Sequence, residues 1–571
     1  MSSDKATIVS PASAQRLRRV ILGASLGTGF EWYDFFLYGS LAGVISRQFF
    51  AGVHETTAFI FALLTFAAGF AVRPIGALVF GRLGDRIGRK KTFLATIVIM
   101  GTATTLVGVL PTYESIGIAA PVILILLRML QGLAIGGEYG GAAIYVAEHA
   151  PPAERGYYTS WIQTTAVIAL LLSLIIIMLC RASLGAAFES WGWRIPFLIS
   201  TLLLAVSVYI RLQLGESPVF QQLLAEGSCS TAPIRDSFGD RRNLKRIIAA
   251  LFGATAGMNV VWYTGTLYTL YFLTQILKVE PQRANLLLAS ALVITTPAYL
   301  LFGWLSDRIG RKKVVLTGMA LGAASYFALF HAIAHFANPA AERAARRAPV
   351  SIVAAAADCT LQFDPLGQQK PVRSCDIARA ALANSGVPYV TRTDVQSRTA
   401  LVRIGQPDTA VSIASFDASH LPAPRSKQQY AAFAKQVSDA LHSAGYPAAA
   451  NPAEMSFAML LLILVVLMLY ATLATAPMAA WLVELFPARI RYTSMSVPYH
   501  IGAGWFGGFL PAVAFALVAM TGDIYSGLWY SVVVVAITVV VGACFLPETA
   551  GKRIPSSARP ATRGPTGRPQ L

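Results

Sequence analysis

The sequence predicts an all-α polytopic membrane protein. Twelve transmembrane helices fall into two six-helix repeats, and a small external soluble α/β insertion interrupts the second. Three observations predict this: apolar runs of membrane-spanning length, basic loops that all fall on one side, and short motifs that recur at fixed offsets. Hydrophobic residues make up 55% of the chain and charged residues 13%, about half the charged fraction of a soluble domain.

The apolar runs lie near 20–45, 57–80, 92–110, 120–147, 157–180 and 193–213 in the first half. Those of the second half lie near 246–276, 284–304, 313–336, 455–483, 493–520 and 524–546. Each is close to the roughly 20 residues that cross a ~30 Å hydrocarbon layer as a helix. The net charge of +18 would suit a nucleic-acid partner if it formed one patch, but its placement argues against one. Arg82, Arg86, Arg89, Lys90 and Lys91 lie between spans 2 and 3, Arg241, Arg242, Lys245 and Arg246 between spans 6 and 7, and Arg308, Arg311, Lys312 and Lys313 between spans 8 and 9. Threaded alternately, all three loops share one side, which the positive-inside bias makes cytoplasmic together with both termini. Residues 1–19 read as a cytoplasmic tail without a cleavable signal. The Pro-, Gly- and Ser-rich stretch 547–571 reads as a disordered cytoplasmic tail without heptads.

The loop GRLGDRIGRKKT (81–92) recurs as GWLSDRIGRKKV (303–314), and EWYDFFLY (31–38) is echoed by VWYTGTLY (261–268). EHAPPAER (148–155) is echoed by ELFPARIR (484–491). The first offset is 222 and the last 336, so about 114 residues are inserted between spans 9 and 10. The expected organisation is therefore an N-terminal half over 20–213, an inter-half cytoplasmic loop over 214–245, spans 7–9 over 246–336, an inserted domain over 337–454 and spans 10–12 over 455–546. The insertion has strand-like stretches (SIVAAA, TALVRIG) and helix-like ones (376–384, 427–444). Parity places it outside, in the periplasm of a Gram-negative cell, where oxidising conditions permit Cys359 and Cys375 to pair. Cys180, Cys229 and Cys544 read as ordinary thiols.

Polar residues inside the spans carry the functional signal. Glu31 and Asp34 share a helical face with Gly27 and Tyr38. A charge at mid-membrane costs ~2.5–3.5 kcal/mol on insertion scales, so these acids should face the bundle interior and find a cation. Span 4 offers a stripe of Arg128, Gln131, Glu138 and Tyr145, beside a small-residue ridge of Gly132, Gly136 and Gly140 suited to close helix packing. Asp34 is expected to pair with Arg128 and to release it on protonation, with Glu31 as either a second carrier or an orienting partner and Glu138 as a further coupling residue. The plainer alternative is a permanent structural ion pair. Arg73 is about eight residues inside span 2; it either snorkels or offers its guanidinium fork to a carboxylate. Trp32, Tyr33, Asn259, Trp262 and Tyr263 are expected at a central cavity with Gln131 and Tyr139, as repeat interfaces place substrate near the midplane. Interfacial belt aromatics are the alternative. His500 reads either as a proton relay at this site or as a satisfied interior histidine. GAGWFG (502–507) matches G-x-G-x-x-G but sits in an apolar span rather than a βαβ unit. No Walker A loop, H-E-x-x-H or C-x-x-C is present, so neither an ATP-driven pump nor a zinc enzyme is supported, and no metal or cofactor is expected.

Twelve spans with G-x-L-x-D-R-x-G-R-K-K after spans 2 and 8 resemble the major facilitator superfamily. The stretches FEWYDFFLYG, FAVRPIGALVFG and RMLQGLAIGGEYGGAAIYVAEHAP resemble its metabolite:proton symporter family, over roughly 20–335 and 455–550. The resemblance implies an inner-membrane symporter, not an enzyme, that moves a small organic acid or zwitterion with protons by alternating access, with the proton gradient as its only driver. It also supports proton coupling through an acid in span 1 and an arginine in span 4. Gly81, Asp85, Arg86, Gly88, Arg89, Asp307, Arg308 and Arg311 become a cytoplasmic latch between the halves instead of merely solvated loops. Intramembrane arginines favour an anion, so a mono- or dicarboxylate of the α-ketoglutarate, citrate or shikimate type is expected. A zwitterionic osmolyte such as proline or betaine is the runner-up, and the missing C-terminal coiled coil weighs against the osmosensing subtype. A reading of another class is a transporter-like receptor that senses a ligand through 337–454. The expected partners are the small molecule, protons and the bilayer, with no nucleic acid and a monomeric chain.

Overall fold

The computed structural model describes residues 11–51, 55–213, 215–355, 358–359, 372–394 and 399–551. The tails expected at 1–10 and 552–571 lie outside the described residues, as does the side chain of Glu31. A bilayer offers no hydrogen bonds, so the apolar runs satisfy their own backbone as helices. In the first half these are α1 (Pro11–Ser40), α2 (Glu55–Ile87), α3 (Arg89–Val109), α4 (Ala119–His149), α5 (Arg155–Leu184) and α6 (Arg194–Gln213). The second half begins with α7 (Arg241–Ile276), α8 (Pro281–Ile309) and α9 (Arg311–Ala337).

Next come the elements of the insertion: α10 (Pro339–Arg347), β1 (Val350–Ala354), α11 (Ser374–Ser385), β2 (Tyr389–Thr393), β3 (Leu401–Ile404), β4 (Val411–Ala414) and α12 (Ala423–Ser443). The chain ends with α13 (Phe457–Leu485), α14 (Ala488–Thr521) and α15 (Leu528–Phe545). Ten helices among the described residues, α3 to α9 and α13 to α15, are long and apolar enough to cross a membrane. The other two expected spans fall on α1 and α2, which are 30 and 33 residues long.

The turns from α2 to α3 and from α8 to α9 each pivot on a glycine, Gly88 and Gly310, both at φ 115°. L side chains rarely adopt that conformation, so the R-x-G-R-K-K motif keeps a glycine there. α7 is interrupted by π-helical stretches at Leu251–Thr255, Thr264–Tyr268 and Phe272–Ile276, and α14 by one at Gly502–Gly507. Such stretches are frequent where a helix serves a site. The glycine ridge of α4 does pack closely: a Cβ on Gly132 would lie 2.0 Å from the Gly69 carbonyl oxygen, and one on Gly136 2.3 Å from that of Arg73. The ridge therefore seats α2, and Arg73 with it, directly on α4.

The insertion has its own core, built on Ile352, Leu382, Val402 and Val437. Its sheet runs β2-β1-β3-β4, with β1 parallel to β2 and antiparallel to β3. SIVAAA and TALVRIG contribute β1 and β3, while β2 and β4 lie in stretches that sequence reading did not single out. Cys359 and Cys375 are disulfide-bonded, with their Cα atoms 5.0 Å apart. The unit rests on the ends of α7 and α14: Tyr389 N donates to Gly522 O at 3.0 Å, and Lys278 Nζ to Asn384 O at 2.7 Å.

Candidate functional site

Between the halves lies a narrow cavity of about 50 Å³. From the first half, α1 supplies Trp32, α2 Arg73, α4 Tyr139 and α5 Gln163; from the second, α7 supplies Asn259, Trp262 and Tyr263, α8 Tyr299, and α14 Tyr499 and His500. Among its described lining residues Arg73 is the only arginine or lysine, and none is an acid. Arg73 is buried, with its guanidinium 4.0 Å from the Phe70 ring centroid and close to Tyr263 and Tyr499. Tyr139 and Tyr499 stack almost parallel at 3.6 Å, a ring pair that joins the two halves. Trp262 meets Tyr263 edge-on at 5.0 Å.

Seven residues expected at the substrate therefore line one cavity: Trp32, Arg73, Tyr139, Asn259, Trp262, Tyr263 and His500. Tyr33 and Gln131 do not. Tyr33 faces α6, where its hydroxyl donates to Pro196 O at 3.0 Å. Gln131 lies inside the first half, accepting from Arg128 Nη1 at 2.6 Å and donating to Thr104 Oγ1 at 2.7 Å.

The direct Asp34–Arg128 ion pair expected from spacing is absent among the described residues. Asp34 is buried and accepts a hydrogen bond from Ser200 Oγ of α6, with Thr104 also beside its carboxylate. The Arg128 guanidinium lies 4.0 Å over the Tyr38 ring while it holds Gln131. Gln131 and Thr104 thus stand between the acid and the cation, because the long arginine stem turns toward ring and amide instead of toward the short aspartate. Glu138 has a different partner from any expected: Arg211 of α6 donates to it at 2.6 Å, Thr96 at 2.7 Å and Thr28 at 3.4 Å.

At the loop side each half caps a helix of the other. Asp85 accepts from Tyr492 N at 3.1 Å, Thr493 N at 2.9 Å and Thr493 Oγ1 at 2.8 Å, at the start of the helical run from Arg491. Asp307 accepts from Gly156 N and Tyr157 N, both at 2.8 Å, at the start of α5. A carboxylate at a helix N-terminus satisfies donors that have no intrahelical partner. Arg89 holds Asp85 at 3.1 Å, and Arg311 holds Asp307 at 2.7 Å. Glu148 pairs with Arg491 at 2.7 Å, while Glu484 pairs with Arg311 at 2.9 Å and with Arg155 at 3.4 Å.

Gly81 allows the approach, since a Cβ there would meet Thr493 Cα at 2.8 Å. Arg86 and Arg308 are exposed and outside this network, with Arg308 stacked on Trp304 at 4.0 Å. Sequence reasoning did not single out Glu148, Arg155, Glu484 and Arg491 as members of this network. The signal was present: these are the Glu and Arg that EHAPPAER and ELFPARIR share.

Two helical halves that enclose a cavity and exchange helix caps on one side make up the major facilitator fold. A proton:xylose symporter of that superfamily, XylE, superposes over 95% of this chain and 98% of its own with a TM-score of 0.57 at 15% identity. The model of the sugar (and other) transporter family matches residues 20–357 and 438–558. The chain belongs to this family. The proline/betaine transporter of Escherichia coli (strain K12) is 36% identical over 314 residues, 53% of this chain and 62% of that protein's length. The match thus spans under two thirds of that relative. The shikimate transporter of the same strain is 36% identical over 329 residues, 56% of this chain and 74% of that protein. Both relatives are named as transporters rather than enzymes.

Proposed function

We propose that the protein is a proton-coupled symporter that carries a small organic acid across the inner membrane by alternating access. The observation that carries this reading is the cavity between the halves, whose described lining holds one arginine and no acid. A planar guanidinium fits a carboxylate through two parallel hydrogen bonds, and the aromatic walls exclude water around that pair. Asp34 is the proton site. It is buried in the first half, beside a polar chain through Thr104 and Gln131 to Arg128. An inside-negative potential opposes an anion by about 2.3 kcal/mol per charge per 100 mV, so each negative charge taken up needs at least one proton. The capped helix ends at 81–91 and 303–313 act as a cytoplasmic latch. Both termini then lie in the cytoplasm and 337–454 outside, since the insertion follows α9 at the end remote from that latch.

The runner-up substrate is a zwitterionic osmolyte. The Trp and Tyr walls favour it through cation–π contact with a quaternary ammonium, and one relative bears the name proline/betaine transporter. The test is uptake of labelled α-ketoglutarate, citrate, shikimate and proline into proteoliposomes under an imposed pH gradient. Accumulation of an acid supports the primary reading, and accumulation of proline alone replaces it with the runner-up. A receptor role of the insertion would show as intact uptake with a lost cellular response after residues 340–452 are replaced by a short linker.

A further inference from the structure

His500 is 1% exposed and lines the cavity, and neither of its ring nitrogens has a hydrogen-bond partner among the described residues. An imidazole in either protonation state carries at least one N–H donor. A buried donor left unmade is costly, so a group in this position calls for a partner from within the cavity. Its neighbours do not supply one. The Tyr499 ring stands at 87° to it with centroids 5.1 Å apart, and neither the amide of Asn259 nor that of Gln163, which also line the cavity, is hydrogen-bonded to it.

We propose that His500 takes a second oxygen of the substrate, separate from the carboxylate that Arg73 takes, so that the transported acid carries a hydroxyl, oxo or second carboxyl group beside that carboxylate. This rests on the acid-symport reading above. The guanidinium fork accommodates both oxygens of one carboxylate. The imidazole is then left for a hydroxyl, a carbonyl or a second carboxylate elsewhere on the molecule, which a plain monocarboxylic acid or the methylated nitrogen of a betaine does not offer. A site that hydrogen-bonds such a group discriminates against the analogue lacking it, because the protein's own polar atom is otherwise stranded.

The experiment measures quenching of the purified protein's tryptophan fluorescence by matched acids: shikimate against cyclohexenecarboxylate, α-ketoglutarate against valerate, and lactate against propionate. Wild type is expected to bind one oxygenated acid about 10- to 100-fold more tightly than its deoxygenated partner, the range that an unpaired buried donor sets. His500→Phe should remove that gap by weakening only the oxygenated acid, and His500→Asn, which keeps a donor, should retain part of it. Absence of a gap in every wild-type pair overturns the assignment. Equal weakening of both members by His500→Phe also overturns it, since His500 would then share the carboxylate with Arg73. Binding of proline or betaine but of no acid overturns the symport reading itself, and this assignment with it.

Discussion

Replacing Asp85 with asparagine should release the proposed latch from one side. The carboxylate takes three hydrogen bonds from the opposite half, two from backbone N–H groups and one from the Thr493 hydroxyl, at 2.8 to 3.1 Å. It also answers the buried charge of Arg89. Asparagine retains one acceptor oxygen and turns an NH2 group toward donors, so at least one charge-assisted bond, ~1.5–3 kcal/mol, is lost. The Arg89 charge loses its close counterion as well, since Glu148 stands 4.0 Å away. A weakening of about 3 kcal/mol shifts the equilibrium between latched and unlatched states about a hundredfold. Spin labels at Arg86→Cys and Arg308→Cys, exposed positions on opposite halves, read the opening as a distance distribution once Cys180, Cys229 and Cys544 are replaced. Asp85→Asn should move population toward longer distances, and Asp307→Asn should do the same because its caps on α5 mirror those of Asp85. Unchanged distributions in both variants would refute the latch.

Three further outcomes are expected. Arg73→Lys keeps the charge but loses the fork, so the transport KM should rise at least tenfold with kcat less affected; unchanged kinetics would mean the guanidinium does not meet substrate. Glu138→Gln removes the carboxylate that the buried Arg211 guanidinium holds at 2.6 Å, and breaking such a pair from one side costs about 3–5 kcal/mol, so a melting temperature equal to wild type would contradict the pairing. Ser456 N donates to Phe336 O at 3.0 Å, which sets the two ends of the insertion side by side. Replacing residues 340–452 by a short linker should therefore preserve uptake while lowering thermal stability, because the contacts of Tyr389 and Lys278 are lost; a chain that no longer transports would make the insertion part of the transport machinery.

Much of the site was legible because the apolar runs make polar and ring-bearing residues stand out. Arg73, Asn259 and His500 are conspicuous in such surroundings, and the repeat pointed to Asp85 and Asp307 together. What stayed hidden has physical causes. Ser200 and Thr104 were invisible because Ser and Thr in helices normally bond their own turn, as Thr104 does to Met100 O at 3.0 Å, and nothing in spacing marks the ones that also serve a carboxylate. Arg211 sits near the end of its apolar run, where an arginine reads as a topology signal, yet it is buried on Glu138. Trp32 and Tyr33 are adjacent on a helix, so their side chains diverge by about 100°; one reaches the cavity and the other faces α6. The π-helical stretches of α7 and α14 leave no mark in hydrophobic periodicity, so their position beside Asn259 and His500 had to come from the fold.

The central claim is that Asp34 carries the coupled proton. The most direct test is pH-gradient-driven uptake of the transported acid into proteoliposomes, with wild type beside Asp34→Asn, followed by exchange of that acid across the same vesicles without a gradient. The account predicts that the variant loses gradient-driven accumulation and keeps exchange. A variant that still concentrates the acid in response to the pH gradient would place the proton elsewhere and contradict the mechanism.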